Sequence, residues 1–265
     1  YMNQVGVIGA GVMGEALIAA LISYGTSPSS ITISEKRKDR ADELSARYGI
    51  KVEDVATNVS KADALLLVVK PQDMAATLDE IKGSINKSAV VITFAAGKKI
   101  SFIELGLGTG NPVVRVMPNT PTLVGAGMAA ISLGAGVSAK QSEFVSGFLA
   151  ATGKTIQVSE DLQDAVTATS GSGPAYFFRF VEAMVDGAKA LGLSDADATT
   201  LTIQTIVGAA KLLDESGKSA TTLRENVTSP NGTTAAALAS FESHQLGDVV
   251  AQAMKAARDR SQELA

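Results

Sequence analysis

Residues 5–14 read VGVIGAGVMG, and this stretch decides the fold of the chain. A short apolar run leads into three glycines, Gly9, Gly11 and Gly14, in the spacing G-x-G-x-x-G, and a helical pattern follows at 12–24. In a strand–turn–helix unit, the first glycine permits a tight turn, the second lets a pyrophosphate approach the backbone, and the third lets helix and strand pack closely. The phosphates then bind at the helix N-terminus. The stretch therefore predicts a dinucleotide-binding turn on the first strand of a sheet.

The rest of residues 1–159 repeats this alternation of strand and helix. The predicted strands are 4–8, 31–34, 64–69, 89–94, 112–117, 128–133 and 155–158. The predicted helices between them are 12–24, 38–48, 71–82, 100–106 and 138–151. The strands are continuous apolar runs, as expected for parallel strands that are covered on both faces. The predicted fold class is therefore α/β, with an open, doubly wound sheet.

Residues 160–265 read as helices throughout, so we place an all-helical second domain after a boundary at residue 159. This half is rich in alanine, glycine, serine and threonine, which lets helices approach one another closely. Such a domain cannot easily bury all of its apolar surface alone. We therefore expect an intertwined homodimer.

The composition limits the function classes. The 265 residues include 46% hydrophobic and 19% charged side chains, which is typical of a globular protein. A net charge of −4 argues against a nucleic-acid partner, because a phosphate-backbone binder would have a basic face. The chain has no cysteine, which excludes disulfides and Cys-ligated metals, and we predict no metal site. The N-terminal apolar run lacks the basic flank of a secretory signal, and no run predicts a membrane span, so we expect a cytoplasmic protein.

The end of the second predicted strand, SEKR at 34–37, bears on the choice between NAD and NADP. An acidic residue here binds the ribose diol, whereas hydroxyl and basic groups receive a 2′-phosphate. Glu35 lies 21 residues after the third glycine and suits the diol. Ser34, Lys36 and Arg37 suit the phosphate. We favour NADP, with NADPH as the preferred reductant and NADH as a possible one.

Two further strand ends face the same crevice. VVKPQ at 68–72 places Lys70 at the strand end and Pro71 at the start of the next helix, although Lys70 is equally well explained as a solvated lysine. FAAG at 94–97 has small residues where a nicotinamide ribose can pass.

Side chains for conventional acid–base chemistry are few. Reduction of a ketone normally needs a His, Lys or Tyr to move the hydroxyl proton. The only histidine, His244, is flanked by polar residues between two helices, and we interpret it as a surface or cap residue. Lys189 is a possible base, but it lies near a helix end, where a cation complements the helix dipole. A cyclic imine as substrate would not need such a base, because the carbon of an imine that is protonated on nitrogen accepts hydride directly.

TSPNGTTAAAL at 228–238 starts a helix with more hydroxyl groups than one cap needs and with no charge. We predict that the N–H groups of residues 232–234 are free and suit a carboxylate, with added hydrogen bonds from Ser229, Thr233 and Thr234. The alternative is a well-capped helix without a ligand.

Several motifs together resemble the pyrroline-5-carboxylate reductase family. They are VIGAGVMG (7–14), VVKPQDM (68–74), FAAG (94–97), VRVMPNTPTLVGAGM (114–128), residues 165–194 around SGSGPAYFF, and LRENVTSPNGTTAAALASFE (223–242). The resemblance runs end to end. It implies NAD(P)H-dependent reduction of 1-pyrroline-5-carboxylate to L-proline, the last step of proline biosynthesis. It also implies a Rossmann domain followed by a helical dimerisation domain, with dimers that in many members assemble into decamers of five dimers.

The resemblance also implies which residues contact the cofactor. The pyrophosphate turn would comprise Ile8, Gly9, Ala10, Gly11, Val12 and Met13. The adenosine ribose or its phosphate would be approached by Ser34, Lys36 and Asn58. The nicotinamide half would be lined by Val68, Val69, Lys70, Pro71, Ala95, Ala96 and Gly97.

For the substrate, the family motif implies that Gly232, Thr233 and Thr234 form the carboxylate-binding turn with Ser229, in one subunit's helical domain. Thr234 matches the hydroxyl near the imine nitrogen and is the candidate catalytic proton donor. Asn231 stands where most members have glycine. Asparagine tolerates left-handed backbone geometry, so we expect the turn to survive.

Three questions stay open at this point. The motif SGSGP (170–174) either borders the active site or only allows close helix packing. A regulatory protein that kept the dinucleotide fold without turnover is one alternative to the reductase. A 3-hydroxyacid dehydrogenase relative, with Lys189 as its base, is another.

Overall fold

Eight strands form one sheet in the computed structural model, which describes residues 2–265; Tyr1, the first residue of the predicted N-terminal domain, lies outside the described residues. The strands are β1 (Val5–Ile8), β2 (Ile31–Ser34), β3 (Lys51–Val52), β4 (Ala64–Leu67), β5 (Val90–Thr93), β6 (Val113–Met117), β7 (Gly127–Leu133) and β8 (Gly153–Gln157). The helices between them are α1 (Val12–Tyr24), α2 (Lys38–Tyr48), α3 (Val55–Lys61), α4 (Met74–Ile81), α5 (Ile100–Leu107) and α6 (Ala139–Ala150).

The sheet order is β3-β2-β1-β4-β5-β6-β7-β8, which confirms the doubly wound α/β fold. The chain moves outward from β1 through β2 to β3 and then returns to β4 on the other side of β1. The strand order therefore reverses beside β1, and such a switch point is where open α/β sheets bind ligands. The inner strands are fully buried, and apolar side chains pack on both faces of the sheet.

One pair of strands departs from the parallel arrangement. β6 and β7 are antiparallel, whereas every other neighbouring pair among the described strands is parallel. Residues 118–126 join them with only a short 3-10 turn. A parallel return requires a crossover of a dozen or more residues, so this short connection can only reverse the chain.

Two elements in this half were not predicted from the sequence. β3 is only two residues long and both are exposed, so it has no apolar run to reveal it. α3 has seven residues and is capped by Asp54, whose side chain accepts a hydrogen bond from the N–H of Thr57. In addition, the predicted helix 71–82 is divided into a 3-10 turn, Pro71–Asp73, and α4.

The remainder of the chain is helical, as predicted. Its elements are α7 (Gln163–Val166), a π-helical turn (Thr167–Gly171), α8 (Gly173–Ala190), α9 (Asp195–Glu215), α10 (Ala220–Asn226), α11 (Thr233–Ser243) and α12 (Leu246–Glu263).

Packing divides the chain into two compact units, residues 2–174 with Ala256–Ala265, and Ala175–Lys255. The boundary at 159 stays a prediction. The units differ from it because both ends of the predicted helical domain, residues 160–174 and Ala256–Ala265, pack with the sheet. The side-chain amide of Gln163 is fully buried and donates to the carbonyl of Ala130. From the C-terminal helix, the Ser261 hydroxyl donates to Asp164, with 2.6 Å between the oxygens.

The second unit has almost no core of its own in a single chain. Within Ala175–Lys255, only Ala198 and Thr202 are buried. Large apolar side chains are exposed on four of its helices, α8, α9, α11 and α12, including Phe177, Phe178 and Leu201. This distribution is what an isolated half of a larger helical core would have.

Candidate active site

The glycine-rich turn after β1 uses its three glycines for three different reasons. Gly9 has φ +92°, and a Cβ there would clash with the carbonyl oxygen of Val68. A Cβ on Gly14 would lie 2.7 Å from the Gly9 carbonyl oxygen, so this glycine permits close packing of helix and strand. A Cβ on Gly11 would meet no protein atom within 4 Å. Protein packing thus leaves open the space beside Gly11, as expected where a ligand approaches the backbone.

The same turn presents an uncapped helix. Gly11 is the N-cap of α1, and no side chain caps this helix. The first N–H groups of a helix have no acceptor within it, and with the helix dipole they favour an anion. A pyrophosphate fits both the open space and these donors.

A cleft of about 1060 Å³ lies over this turn. Its lining includes residues 8–13, Ser34, Lys36 and residues 68–70 from the predicted cofactor set, together with Glu35 and Arg37. The ends of β1, β2 and β4 thus meet at one crevice, as their topology requires. Asn58, Pro71 and residues 95–97 are not among its lining residues.

Glu35 is held in place at the ribose end of the cleft. Its carboxylate accepts a hydrogen bond from the N–H of Ala10 at 2.8 Å and from the N–H and Nε of Arg37 at 3.1 and 3.2 Å. Burial opposes ionisation, but these donors outweigh it and hold the pKa of Glu35 below its usual value. Arg37 therefore forms an ion pair with Glu35, and Lys36 is an exposed cation that lines the cleft.

Ser34 and Asn58 are linked to each other inside the sheet unit. Asn58 Nδ2 donates to Ser34 Oγ at 3.0 Å and to the carbonyl of Thr32 at 3.2 Å, and the Ser34 hydroxyl donates to the carbonyl of Glu53. Asn58 is 2% exposed, and its Oδ1 has no hydrogen-bond partner. A Cβ on Gly6 would lie 2.5 Å from that oxygen. These contacts give Asn58 a role in joining α3 to β1 and β2, and its contact with a nucleotide stays a prediction.

The loop after β5 is packed against the C-terminal helix. Gly97 has φ +76°, and a Cβ there would clash with the carbonyl oxygen of Ser261 and lie 2.8 Å from the Cβ of Leu264. No pattern in the sequence indicates this contact, because it joins residues far apart in the chain. The small residue that was predicted to make room for a ribose also makes room for the end of α12.

The turn before α11 contains Asn231 in a left-handed backbone conformation. That residue has φ +60°, in the left-handed region, as expected for an asparagine in place of glycine. The N–H of Gly232 donates to the carbonyl of Ser229 at 3.0 Å, so the prediction that this N–H is free is wrong. The turn closes on itself through this bond, which leaves the N–H groups of residues 233 and 234 as the free donors.

The hydroxyl groups of this turn have no internal role. Gly232 is the N-cap of α11, and no side chain caps the helix. Within residues 2–265, the hydroxyls of Ser229, Thr233 and Thr234 make no hydrogen bond with the protein. The interpretation as an ordinary side-chain cap is therefore not supported, since none of them performs capping.

The two rival acid–base residues have structural explanations. His244 ends α11, is exposed, and its Nδ1 lies 2.8 Å from the carbonyl oxygen of Ser240. The Lys189 ammonium lies 3.3 Å from the carboxylate of Asp195, across the turn between α8 and α9. In SGSGP, a Cβ on Gly171 would lie 2.8 Å from the sulfur of Met117, which supports the close-packing interpretation.

No group of three or more His, Asp or Glu side chains among residues 2–265 is arranged to hold a metal ion. No helix in that range combines the length and apolarity needed to cross a membrane.

Comparison with known proteins places this geometry in a family. The family model described as pyrroline-5-carboxylate reductase dimerisation matches residues 160–264, and the model described as NADP oxidoreductase, coenzyme F420-dependent, matches residues 4–97. A pyrroline-5-carboxylate reductase from Corynebacterium melassecola is 42% identical, with 99% of each chain covered.

Two solved structures agree with this relationship. A pyrroline-5-carboxylate reductase from Coxiella burnetii has a TM-score of 0.90 at 35% identity and covers 100% of this chain and 99% of its own. A pyrroline carboxylate reductase from Plasmodium falciparum, solved with NADP bound, has a TM-score of 0.90 at 28% identity over 99% and 98% of the two chains. The identity and the end-to-end coverage together show that this chain belongs to the pyrroline-5-carboxylate reductase family.

Proposed function

We propose that the chain catalyses the NAD(P)H-dependent reduction of 1-pyrroline-5-carboxylate to L-proline, the last step of proline biosynthesis. The family membership and the dinucleotide turn support the reaction class. The observation that carries the substrate assignment is the turn before α11, which presents uncapped helix donors and three hydroxyls without protein partners. These groups are uncharged, and such a cradle suits a carboxylate held by N–H groups and a helix dipole.

The chemistry requires little from the protein beyond binding and alignment. A reduced nicotinamide, when bound, would supply the hydride that the imine carbon accepts, and one proton on the ring nitrogen balances the conversion of the C=N bond to a C–N bond. The N–H groups of residues 233 and 234 would hold the substrate carboxylate. The Thr234 hydroxyl would stand near the ring nitrogen and supply or relay the proton. A substrate activated by protonation needs no His or Lys base, which agrees with the structural explanations of His244 and Lys189.

The residues that would hold the dinucleotide are those lining the cleft. Residues 8–13 would receive the pyrophosphate, Ser34 and Lys36 the adenosine ribose or its phosphate, and residues 68–70 the nicotinamide half. Asn58, Pro71 and residues 95–97 complete the proposed set from neighbouring positions. The space beside Gly11 is the feature that fits this group most directly.

We propose NADPH as the preferred reductant, with NADH usable. Exposed Lys36 and the match to an NADP oxidoreductase family favour a 2′-phosphate. The ionised Glu35 opposes it, although its ion pair with Arg37 at 3.2 Å offsets this repulsion. Parallel kinetics with both cofactors would decide: a higher kcat/KM with NADH would overturn the preference.

The proposal extends to assembly and location. The dimerisation-family match and the exposed apolar faces of Ala175–Lys255 support a homodimer, which we propose assembles further into a decamer of five dimers. The lack of cysteine suits a cytoplasmic enzyme. Light scattering coupled to gel filtration would measure the assembly, and a mass no greater than that of a dimer would exclude the decamer.

The test of the reaction is direct. Purified protein with NADPH and pyrroline-5-carboxylate should oxidise the cofactor and form L-proline in equal amounts. Binding of dinucleotide without turnover would favour the regulatory alternative. Loss of activity in Lys189→Ala with an intact fold would favour the hydroxyacid dehydrogenase alternative, whereas we expect that variant to stay active.

A further inference from the structure

Arg40, on α2, connects the glycine-rich turn to a group of charged residues beneath it. Its Nε donates to the carbonyl of Ala10 at 2.9 Å, and its Nη2 lies 3.4 Å from the carbonyl oxygen of Gly11. The same guanidinium pairs with Glu15 at 2.6 Å and with Glu43 at 3.0 Å. Its side chain is 16% exposed. One side chain thus uses all of its nitrogens at the base of the predicted pyrophosphate site.

The orientation of these two loop carbonyls sets the orientation of the N–H groups that follow them in the chain. In a trans peptide the C=O and the following N–H point in opposite directions. Fixing the carbonyls of Ala10 and Gly11 therefore fixes the N–H groups of Gly11 and Val12. Gly11 has no side chain and no protein atom beside its would-be Cβ, so packing does little to restrain it. The Gly11 carbonyl also accepts a hydrogen bond from the N–H of Glu15 at 3.0 Å, and Glu35 holds the N–H of Ala10; Arg40 is the side chain that contacts both loop carbonyls.

The charge of Arg40 is a second reason to expect that this residue affects pyrophosphate binding. Glu15 lies in the first turn of α1, where its carboxylate would repel a bound pyrophosphate. Burial raises its pKa, but hydrogen bonds from Arg40, Tyr48 and Arg47 outweigh that effect and keep the pKa below its usual value, so Glu15 is ionised. Arg40 places a positive charge between this carboxylate and the loop.

We propose that Arg40 is a positioning residue of the dinucleotide site, which holds the peptide planes of Ala10 and Gly11 so that their neighbouring amides are ready for a pyrophosphate. The inference rests on the proposed function, since it needs a dinucleotide in the cleft. It assigns no contact between Arg40 and the reacting atoms.

Arg47 is a matched control provided by the chain itself. It pairs with the same two carboxylates, Glu15 and, at 2.8 Å, Glu43. It makes no hydrogen bond with the loop carbonyls. If Arg40 only joins α1 to α2, then loss of either arginine should have the same consequences.

The experiment compares Arg40→Gln, Arg40→Lys and Arg47→Gln with wild type. The readouts are the dissociation constant of NADPH by fluorescence titration, KM for NADPH, kcat, and the melting temperature. We expect Arg40→Gln to bind NADPH about tenfold more weakly, with kcat at saturating NADPH within about twofold of wild type, because a hydrogen-bonded charge is lost from the turn and not from the reaction. Arg40→Lys should be intermediate, since an ammonium keeps the charge but loses the fork.

Arg47→Gln should lower the melting temperature and leave NADPH affinity within about twofold of wild type. The proposal falls if Arg40→Gln binds NADPH as wild type does, or if Arg47→Gln weakens binding equally. Should Arg40→Gln fail to fold, Arg40→Lys decides: wild-type affinity in that variant overturns the proposal. Failure of wild type itself to bind either dinucleotide would overturn the proposed function as well, whereas normal turnover in wild type together with wild-type NADPH affinity in all three variants would remove only the role of Arg40.

Discussion

The chain contains two turns that each open an uncapped helix, one after β1 and one before α11, and their surroundings are opposite. The first rests on strands that are completely buried within their own unit. The second belongs to a unit in which only Ala198 and Thr202 are buried. A turn on a buried sheet is preformed by its own core, whereas a turn on an exposed helical unit depends on what covers that unit. The comparison predicts that a Cβ placed against the sheet in the first turn lowers the stability of one chain, whereas damage to the second turn appears in turnover.

The largest expected effect is at Gly9. Gly9→Ala places a Cβ against the carbonyl of Val68 and strains a backbone with φ +92°, so we expect a loss of about 3 kcal/mol or more in the free energy of unfolding. Urea denaturation would measure it. Gly25→Ala is the control, because it also has positive φ, 108°, but has no atom near its Cβ, and it should cost only about 1–2 kcal/mol. Equal losses in both variants would mean that close contact with Val68 is unimportant.

Gly11 should separate binding from stability in the same turn. Gly11→Val fills the open space beside the turn, and we expect NADPH affinity to fall about 100-fold while the melting temperature changes little. The paired measurements are a fluorescence titration and a thermal melt. Undiminished affinity would show that the pyrophosphate does not approach the backbone at Gly11.

The second turn should respond in turnover. Thr234→Ala is expected to lower kcat about tenfold or more, which is typical for a positioned proton donor or substrate clamp, without changing NADPH affinity. Thr234→Ser keeps the hydroxyl and should recover most of the activity. Wild-type rates in Thr234→Ala would remove this residue from the mechanism.

The exposed helical unit makes stability depend on assembly. Phe177, Phe178 and Leu201 are exposed in a single chain, so we expect the melting temperature to rise with protein concentration. For a dimer, the free energy of unfolding should increase by about 1.4 kcal/mol for each tenfold increase in concentration. Calorimetry over a roughly 100-fold range of protein concentration would detect this rise. A melting temperature independent of concentration would contradict the comparison.

The smallest effect is a pH dependence in the sheet unit. The folded pKa of Glu15 is below that of the unfolded chain, so its ion pairs stabilise the fold above about pH 4.3, and this contribution is lost as the pH falls through the folded pKa. Glu15→Gln should remove about 1 kcal/mol or less at neutral pH, and the difference from wild type should shrink towards pH 3. Urea titrations at several pH values would measure this. A difference that grows on acidification would mean that Glu15 is destabilising in the native state.

Local patterns in the sequence were enough for most of the fold. α1 and α2 have the bounds that were predicted, because each ends at a glycine in left-handed conformation that the sequence displays. The long buried strands were found because they are continuous apolar runs. β3 and α3 were missed because a two-residue exposed strand and a seven-residue helix have too little pattern to detect.

The site divides in the same way. The spacing of Gly9, Gly11 and Gly14 and the hydroxyl-rich turn at 228–238 were visible in the sequence, because both depend on neighbours in the chain. The contact of Gly97 with Ser261 and the fork of Arg40 on Ala10 were not, because they join residues far apart in the chain. The local Gly232–Ser229 hydrogen bond was missed because the N–H of Gly232 was predicted to be free.

By itself the sequence determined the class of sheet and the dinucleotide turn, since these follow from periodicity and spacing along the chain, and its motifs carried the resemblance to the family. Tertiary structure alone decided that Arg40 supports the glycine-rich turn and that the C-terminal helix packs against the loop at Gly97. Each of these contacts joins residues that are 29 or more positions apart, so no local pattern encodes them. Their atoms come together only when the unit that contains the sheet folds.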